Sequence, residues 1–174
     1  MDTNFYTTAS HLSGEEMAAN ELAVRALYQK LIEAWGDADS YAALFTEDGD
    51  YITFDGSHAR GRTEIARAHR PLFEGILKGS RLFDVGIPLE VRFLSPNVAL
   101  IHSGGAVLRA KQKKPSRRAI SVQTMVAVKQ EGNWLFAAFQ NTHYRPFAQT
   151  LLGKIHTSHT VRQAQPTNKH LQNN

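Results

Sequence analysis

The sequence predicts a single α+β domain, helices first and a strongly bent antiparallel sheet after them, and three observations carry that reading. Apolar residues recur at helical spacing between Glu15 and Trp35. The period switches to two from Leu89 onward. Turn signals then divide the second half into long strands joined as successive hairpins. Helices followed by consecutive hairpins form a helix layer on a sheet layer.

Ala23, Val24, Leu27, Tyr28, Leu31, Ile32 and Trp35 share one helix face. Ser13 and Glu16 have the form of a capping box, so residues 1–14 are expected to be a flexible arm and the domain to span 15–145. Gly36 stops the first helix, and Asp37 caps a short second one through Tyr41 to Phe45. TEDGD reads as a turn, Tyr51 to Phe54 as a strand, and DGSHARG as its loop. A third helix runs from Gly61 to about Leu77, with Ile65, His69, Leu72, Phe73 and Ile76 on one side and a kink expected at Pro71.

Leu89, Val91 and Phe93 alternate with Glu90 and Arg92 as a half-buried strand. Ser95, Pro96 and Asn97 make a turn. Val98–Ala110 follows as a second strand, bent at Gly104 and Gly105, and then Ala119–Lys129 and Trp134–Tyr144. The polar, aperiodic stretch 146–174 is expected to be a tail, partly disordered or docked. Its His156 and His159 lack a third ligand nearby and are not expected to hold a metal.

Composition narrows the function classes. The chain has 174 residues and no cysteine, which excludes disulfides, thiolate nucleophiles and thiolate metal sites. The net charge of +4 is concentrated in KQKKPSRR at 111–118, a solvated hairpin loop on this reading. Without interleaved aromatic residues, nucleic-acid binding is the weaker reading. The opening residues lack a secretory signal pattern, and no apolar run approaches the ~18 residues that span a bilayer. A cytoplasmic protein with no membrane partner is expected.

The ordered set Trp35, Gly36, Asp37, Leu44, Phe45, Tyr51, Gly56, Gly61, Arg62, Ile65, His69, Phe73, Gly79 and Ser80, then Gln123, Thr124, Trp134, Phe139, Gln140, Asn141 and Thr142, resembles the NTF2-like superfamily. Within it the pattern is most similar to the SgcJ/EcaC-type branch, found beside secondary-metabolite pathways. The resemblance covers about residues 18–145. It implies a cone in which a curved antiparallel sheet packs on about three N-terminal helices and encloses a pocket, and commonly a homodimer through the convex sheet face. It does not imply one reaction, since the fold hosts several. The ketosteroid isomerases of the superfamily place an aspartate where Thr53 stands and a tyrosine where Gln29 stands. Neither residue here is a base, so steroid-type isomerisation is not expected.

Within that cone His69 is the candidate acid or base, an imidazole on the inner helix face. The competing reading is a core histidine bonded to a backbone carbonyl. Gln123 and Asn141, with Ser121, share the strand parity that points into the cone in relatives, and their amides and hydroxyl suit orientation of an oxygen rather than reaction with it. Tyr51 and Thr53 alternate onto the pocket side beside Trp35; simple core packing is the alternative for Trp35 and Tyr51, and the better account of the tryptophan. Asp50 is a possible partner for His69 or a turn residue, and Arg62 a loop anchor. The facing of His102 and Gln140 depends on bulges. No nicotinamide, flavin or metal motif is present, so no cofactor is expected.

These residues point to a protein binding a small apolar or aromatic ligand. If it is an enzyme, the expected chemistry is proton transfer on a polyketide-like or aromatic substrate of secondary metabolism. The alternative is a non-catalytic association module, dimerised through Ile120, Val122, Val126 and Val128, with a vestigial pocket.

Overall fold

A computed structural model describes residues 13–145. Of the arm expected at 1–14, residues 1–12 lie outside the described residues, as do the tail at 146–174 and its His156 and His159, while Ser13 and Gly14 belong to the start of the first helix. Helix α1, Gly14–Glu33, opens on the expected capping box: the Ser13 hydroxyl accepts from the Glu16 N–H, and the Glu16 carboxylate accepts from the Ser13 N–H. Its inner face is Asn20, Val24, Leu27 and Leu31. Gly36, at φ 110, turns the chain, and Asp37 caps α2, Ala38–Ala42, by accepting from the Ser40 N–H at 2.7 Å. The short helix buries Tyr41 at the centre of the core. Among the described residues no helix is long and apolar enough to cross a membrane.

Strand β1, Phe45–Ile52, starts six residues before the strand expected at Tyr51 and absorbs the supposed TEDGD turn. The reason is an irregularity between Phe45 and Asp50 in its pairing with the last strand. Gly49 serves it: a Cβ there would stand 3.2 Å from the Phe136 carbonyl oxygen. His58–Arg60, expected in a loop, is strand β2 and pairs with Asp50–Ile52. Helix α3, Gly61–Glu74, follows at once and is tied back to β1 by Arg62, whose Nε donates to the Phe45 carbonyl at 2.6 Å and whose guanidinium pairs with Glu47.

The helix continues through Pro71 and ends at Gly75, short of Leu77. Its inner face is Ile65, Ala66, His69 and Phe73, while Leu72 is 41% and Ile76 62% exposed. Leu72 sits about 100° round the helix from Phe73, and Ile76 lies past the last helical residue, so neither reaches the core.

The remaining strands are β3, Arg81–Phe83, which was not foreseen, β4, Glu90–Ser95, β5, Val98–Leu108, β6, Ile120–Gln130, and β7, Asn133–His143. Together they form a curved seven-stranded sheet in the order β2-β1-β7-β6-β5-β3, with β4 also on β5. The three long strands pair antiparallel as expected, but β1 and β7 are parallel. They are the first and last strands, no hairpin joins them, and their direction is set by where the helices deliver the chain.

Two local features shape the sheet. A register shift between Val126 and Ala127 makes Ala137 an extra residue in β7, so that Trp134 and Phe136 below it, and Phe139 above it, all face the core. Strands β3 and β4 lie on the same edge of β5, and the chain between them, residues 84–89, bulges out opposite Ser103–Gly105. There Ile87 occupies the space of a missing side chain: a Cβ on Gly104 would lie 2.5 Å from Ile87 Cδ1. On the convex face Val98, Val128 and Leu135 form one registered row and Leu100, Val126 and Ala138 the next. His102 and Gln140 are exposed, in register with Thr124 between them.

Because Ile87 packs where a Gly104 side chain would project, Gly104→Ala is expected to cost about 1–3 kcal/mol. Urea unfolding should show the Gly104→Ala, Ile87→Ala double variant less destabilised than the sum of the two single changes.

Candidate functional site

Between α1, the 84–89 loop and the concave face of β5–β7 lies a cavity of about 620 Å³. Helix α1 contributes Tyr28, Gln29, Leu31 and Ile32 to its wall, and the turn after it contributes Trp35. The sheet contributes Ser103, Gly105, Ser121, Gln123, Phe139 and Asn141. The volume is in the range of small-molecule sites, which are mostly apolar with a few placed polar groups.

The polar groups of the floor form one chain across three strands. Register places Ser103, Gln123 and Asn141 side by side. The Ser103 hydroxyl donates to Gln123 Oε1 at 3.0 Å. Gln123 Nε2 donates to Ser121 Oγ at 2.8 Å and to Asn141 Oδ1 at 3.3 Å, and Ser121 Oγ donates on to the Gly105 carbonyl at 3.4 Å. Both amide protons of Gln123 are therefore used inside the chain. The Asn141 amide nitrogen has no hydrogen-bond partner among the described residues, so the row ends in N–H donors on a cavity-lining side chain.

The facing wall is aromatic. Tyr41 and Tyr51 both line the cavity with their hydroxyls 3.4 Å apart. Tyr51 stacks on Phe139 with ring centroids at 4.6 Å and planes 2° apart, and Trp35 stands edge-on to Tyr41 at 5.8 Å while its Nε1 donates to Ser80 Oγ. Burial pushes the Tyr51 phenol up to about 12 and the Tyr41 phenol well above its ordinary value. Both are protonated at neutral pH and act as hydrogen-bond groups, not as bases.

Trp35, Tyr51, Ser121, Gln123 and Asn141, the residues singled out from the sequence, line this one cavity. Thr53 does not. Strand β1 ends at Ile52, and the Thr53 hydroxyl is turned into the following turn, bonded to Asp55 and to the Ser57 carbonyl. His69 also lies outside the lining, behind the tyrosines. It is 5% exposed, with its ring 4.8 Å from those of both Tyr41 and Tyr51. Its Nδ1 is 2.8 Å from the Ile65 carbonyl, which can only accept, so Nδ1 carries the proton. Asp50 is bonded to His58 at 2.8 Å and leaves His69 without a carboxylate partner.

Of the lining residues not singled out from the sequence, Ser103, Tyr41 and Asp84 carry polar groups into the cavity. Ser103 was legible in principle, two residues beyond Ile101 on the buried parity of β5. Tyr41 read as an apolar helix residue, and only its approach to Tyr51 makes it part of the wall. Asp84 reaches the cavity from a loop that carries no periodic signal at all.

Burial lowers the His69 pKa below 6.5, against the smaller opposing effect of the Ile65 hydrogen bond. The unfolded chain therefore takes up this proton first as the pH falls. The contribution of neutral His69 to stability is full above 6.5 and declines as the pH drops from there toward the lower folded-state value. Thermal melts between pH 5 and 8 should show a steeper acid-side loss in the native chain than in a His69→Asn variant; parallel profiles would contradict this.

No protein-family description and no curated protein matches the chain. Solved structures do. A domain of unknown function with a cystatin-like fold from Nostoc punctiforme is 29% identical at a TM-score of 0.67, covering 83% of this chain and 96% of that one. An NTF2-like protein with a cystatin-like fold from Novosphingobium aromaticivorans is 21% identical at a TM-score of 0.60, covering 79% and 94%. A putative scytalone dehydratase from the same organism is 16% identical at 0.58, covering 76% and 93%. With its curved sheet packed on three helices, the chain has the cystatin-like, NTF2-like fold of these structures.

Proposed function

We propose that this protein binds a small, flat, apolar or aromatic molecule bearing a neutral oxygen function, and that it does so in the cavity over the Ser103–Gln123–Asn141 row. The observation that carries the reading is the end of that row. Among the described residues the Asn141 amide nitrogen has no partner, and its side chain lines a space that Trp35, Tyr41, Tyr51 and Phe139 also line. A carbonyl or ether oxygen placed there completes the row, and the ligand's apolar body fills the remainder.

Among the described residues, the titrating groups on the cavity wall are tyrosines and Asp84. Tyr41 and Tyr51 are held as phenols, and His69 reaches the cavity only through their rings. Binding is therefore favoured over turnover, because proton transfer needs a group titrating near working pH within reach of the substrate. A polyketide-like or aromatic ligand of secondary metabolism, as in an SgcJ/EcaC-type protein, fits the flat aromatic wall. The fold likeness to a putative scytalone dehydratase adds no chemistry to this reading.

Fluorenone and fluorene share a skeleton and differ in the carbonyl. Titration followed by tryptophan quenching should find fluorenone bound about three- to tenfold more tightly, the net worth of one hydrogen bond. Asn141→Leu should remove the difference. Equal affinities in the native chain would count against Asn141 as the oxygen site, and no binding of either would remove the reading.

The association reading is favoured by one observation, the registered half-buried rows Val98–Val128–Leu135 and Leu100–Val126–Ala138 on the convex face. A homodimer through that face leaves the cavity free, so the two readings are compatible. Sedimentation at micromolar concentration should give a dimer, and Val126→Lys, which places a charge in the middle of the second row, a monomer.

A further inference from the structure

The charge of the cavity is opposite in kind to the charge of the protein. The chain holds 20 basic and 16 acidic residues, yet among the described residues no lysine, arginine or histidine lines the cavity. Among the described residues the one acidic or basic side chain there is Asp84, exposed, in the 84–89 loop. Its Oδ1 accepts from the Gly86 N–H at 2.7 Å, which fixes the carboxylate in a turn. No described basic group forms an ion pair with it.

Arg25 of α1 is paired with Glu21, and its Nη1 donates to the Leu89 carbonyl at the far end of the same loop. Arg81 is exposed and outside the lining. Aromatic side chains of the kind that attract cations line the same cavity: Phe83 next to Asp84 in sequence, Tyr28 on α1 and Trp35 just past its end.

We infer that the ligand of this cavity carries a protonated amine, held at the mouth by Asp84 with the aromatic side chains around it, while its neutral oxygen end lies toward Asn141. This rests on the cavity being a ligand site, as proposed above. A carboxylate or phosphate ligand meets no counter-charge in the lining and is repelled by Asp84. A neutral ligand meets neither gain nor loss at the mouth. An amine gains an ion pair and a cation–π contact against the repulsion of a net positive protein.

Three matched probes separate the possibilities: 1-naphthylmethylamine, 1-naphthalenemethanol and 1-naphthoate, titrated into the full chain at pH 7 and low salt. The amine is expected to bind about tenfold more tightly than the alcohol, a gain compatible with one partly exposed ion pair and one aromatic contact, and the naphthoate more weakly than either. In Asp84→Asn the side-chain oxygen still accepts from Gly86, so the loop keeps its turn. There the amine should fall to the affinity of the alcohol, and the alcohol should be unchanged. An amine no tighter than the alcohol, or an amine preference that survives Asp84→Asn, overturns the inference and leaves the cavity as a neutral site. Failure of all three probes to bind overturns it together with the binding reading.

Discussion

The pairing of β5, β6 and β7 in a common register is the constraint on which the rest of the structure depends. It brings Ser103, Gln123 and Asn141 into one row, although they are drawn from three strands and carry no shared sequence motif. Polar side chains on the inner face of a sheet are costly unless they satisfy one another. Here Gln123 is consumed by its two neighbours and Ser121, and the Asn141 amide nitrogen is left at the end of the row, half-buried on the cavity. The same register lays Val98, Val128 and Leu135 across the opposite face. One set of backbone hydrogen bonds thus produces both a half-polar cavity and an apolar outer surface.

Above that row, packing and electrostatics act together. Tyr41, Tyr51, His69 and Phe73 form a contiguous aromatic group, with ring centroids from 4.8 to 6.3 Å apart across the five closest pairings. Burial in that group raises both phenols and lowers the imidazole, so every member is neutral. A cluster of titratable side chains has in effect become a wall. What remains ionised stands at the mouth, in a loop held from outside by Arg25. The resulting gradient, neutral at the floor and negative at the rim, is a property of no single residue.

Much of the fold was legible because its signals are local. Ser13 and Glu16 cap α1, Asp37 caps α2, and period-two alternation marks the long strands; each acts over a few residues and needs no distant partner. The readings that failed are those in which a distant strand overrides the local preference. TEDGD has the composition of a turn, yet it is a strand because β7 pairs with it around an irregularity at Gly49. Leu72 and Ile76 have helical spacing but fall outside the buried arc, since the helix stops at Gly75. Parity along β7 holds for Asn141 only because the extra residue at Ala137 intervenes after Phe136.

The sequence by itself determined the class of the domain, the order of its elements and most of the cavity's floor, because alternation fixes which side chains share a face of a strand. Tertiary structure alone decided what stands opposite that floor. Tyr41 and Tyr51, ten positions apart on a helix and a strand, meet at their hydroxyls and screen His69 from the space it was expected to serve. Asp84 enters from an aperiodic loop seated on Gly104 through Ile87. Those placements follow from non-local packing, where a side chain's neighbours are set by the crossing of whole elements and leave no periodic trace in the chain.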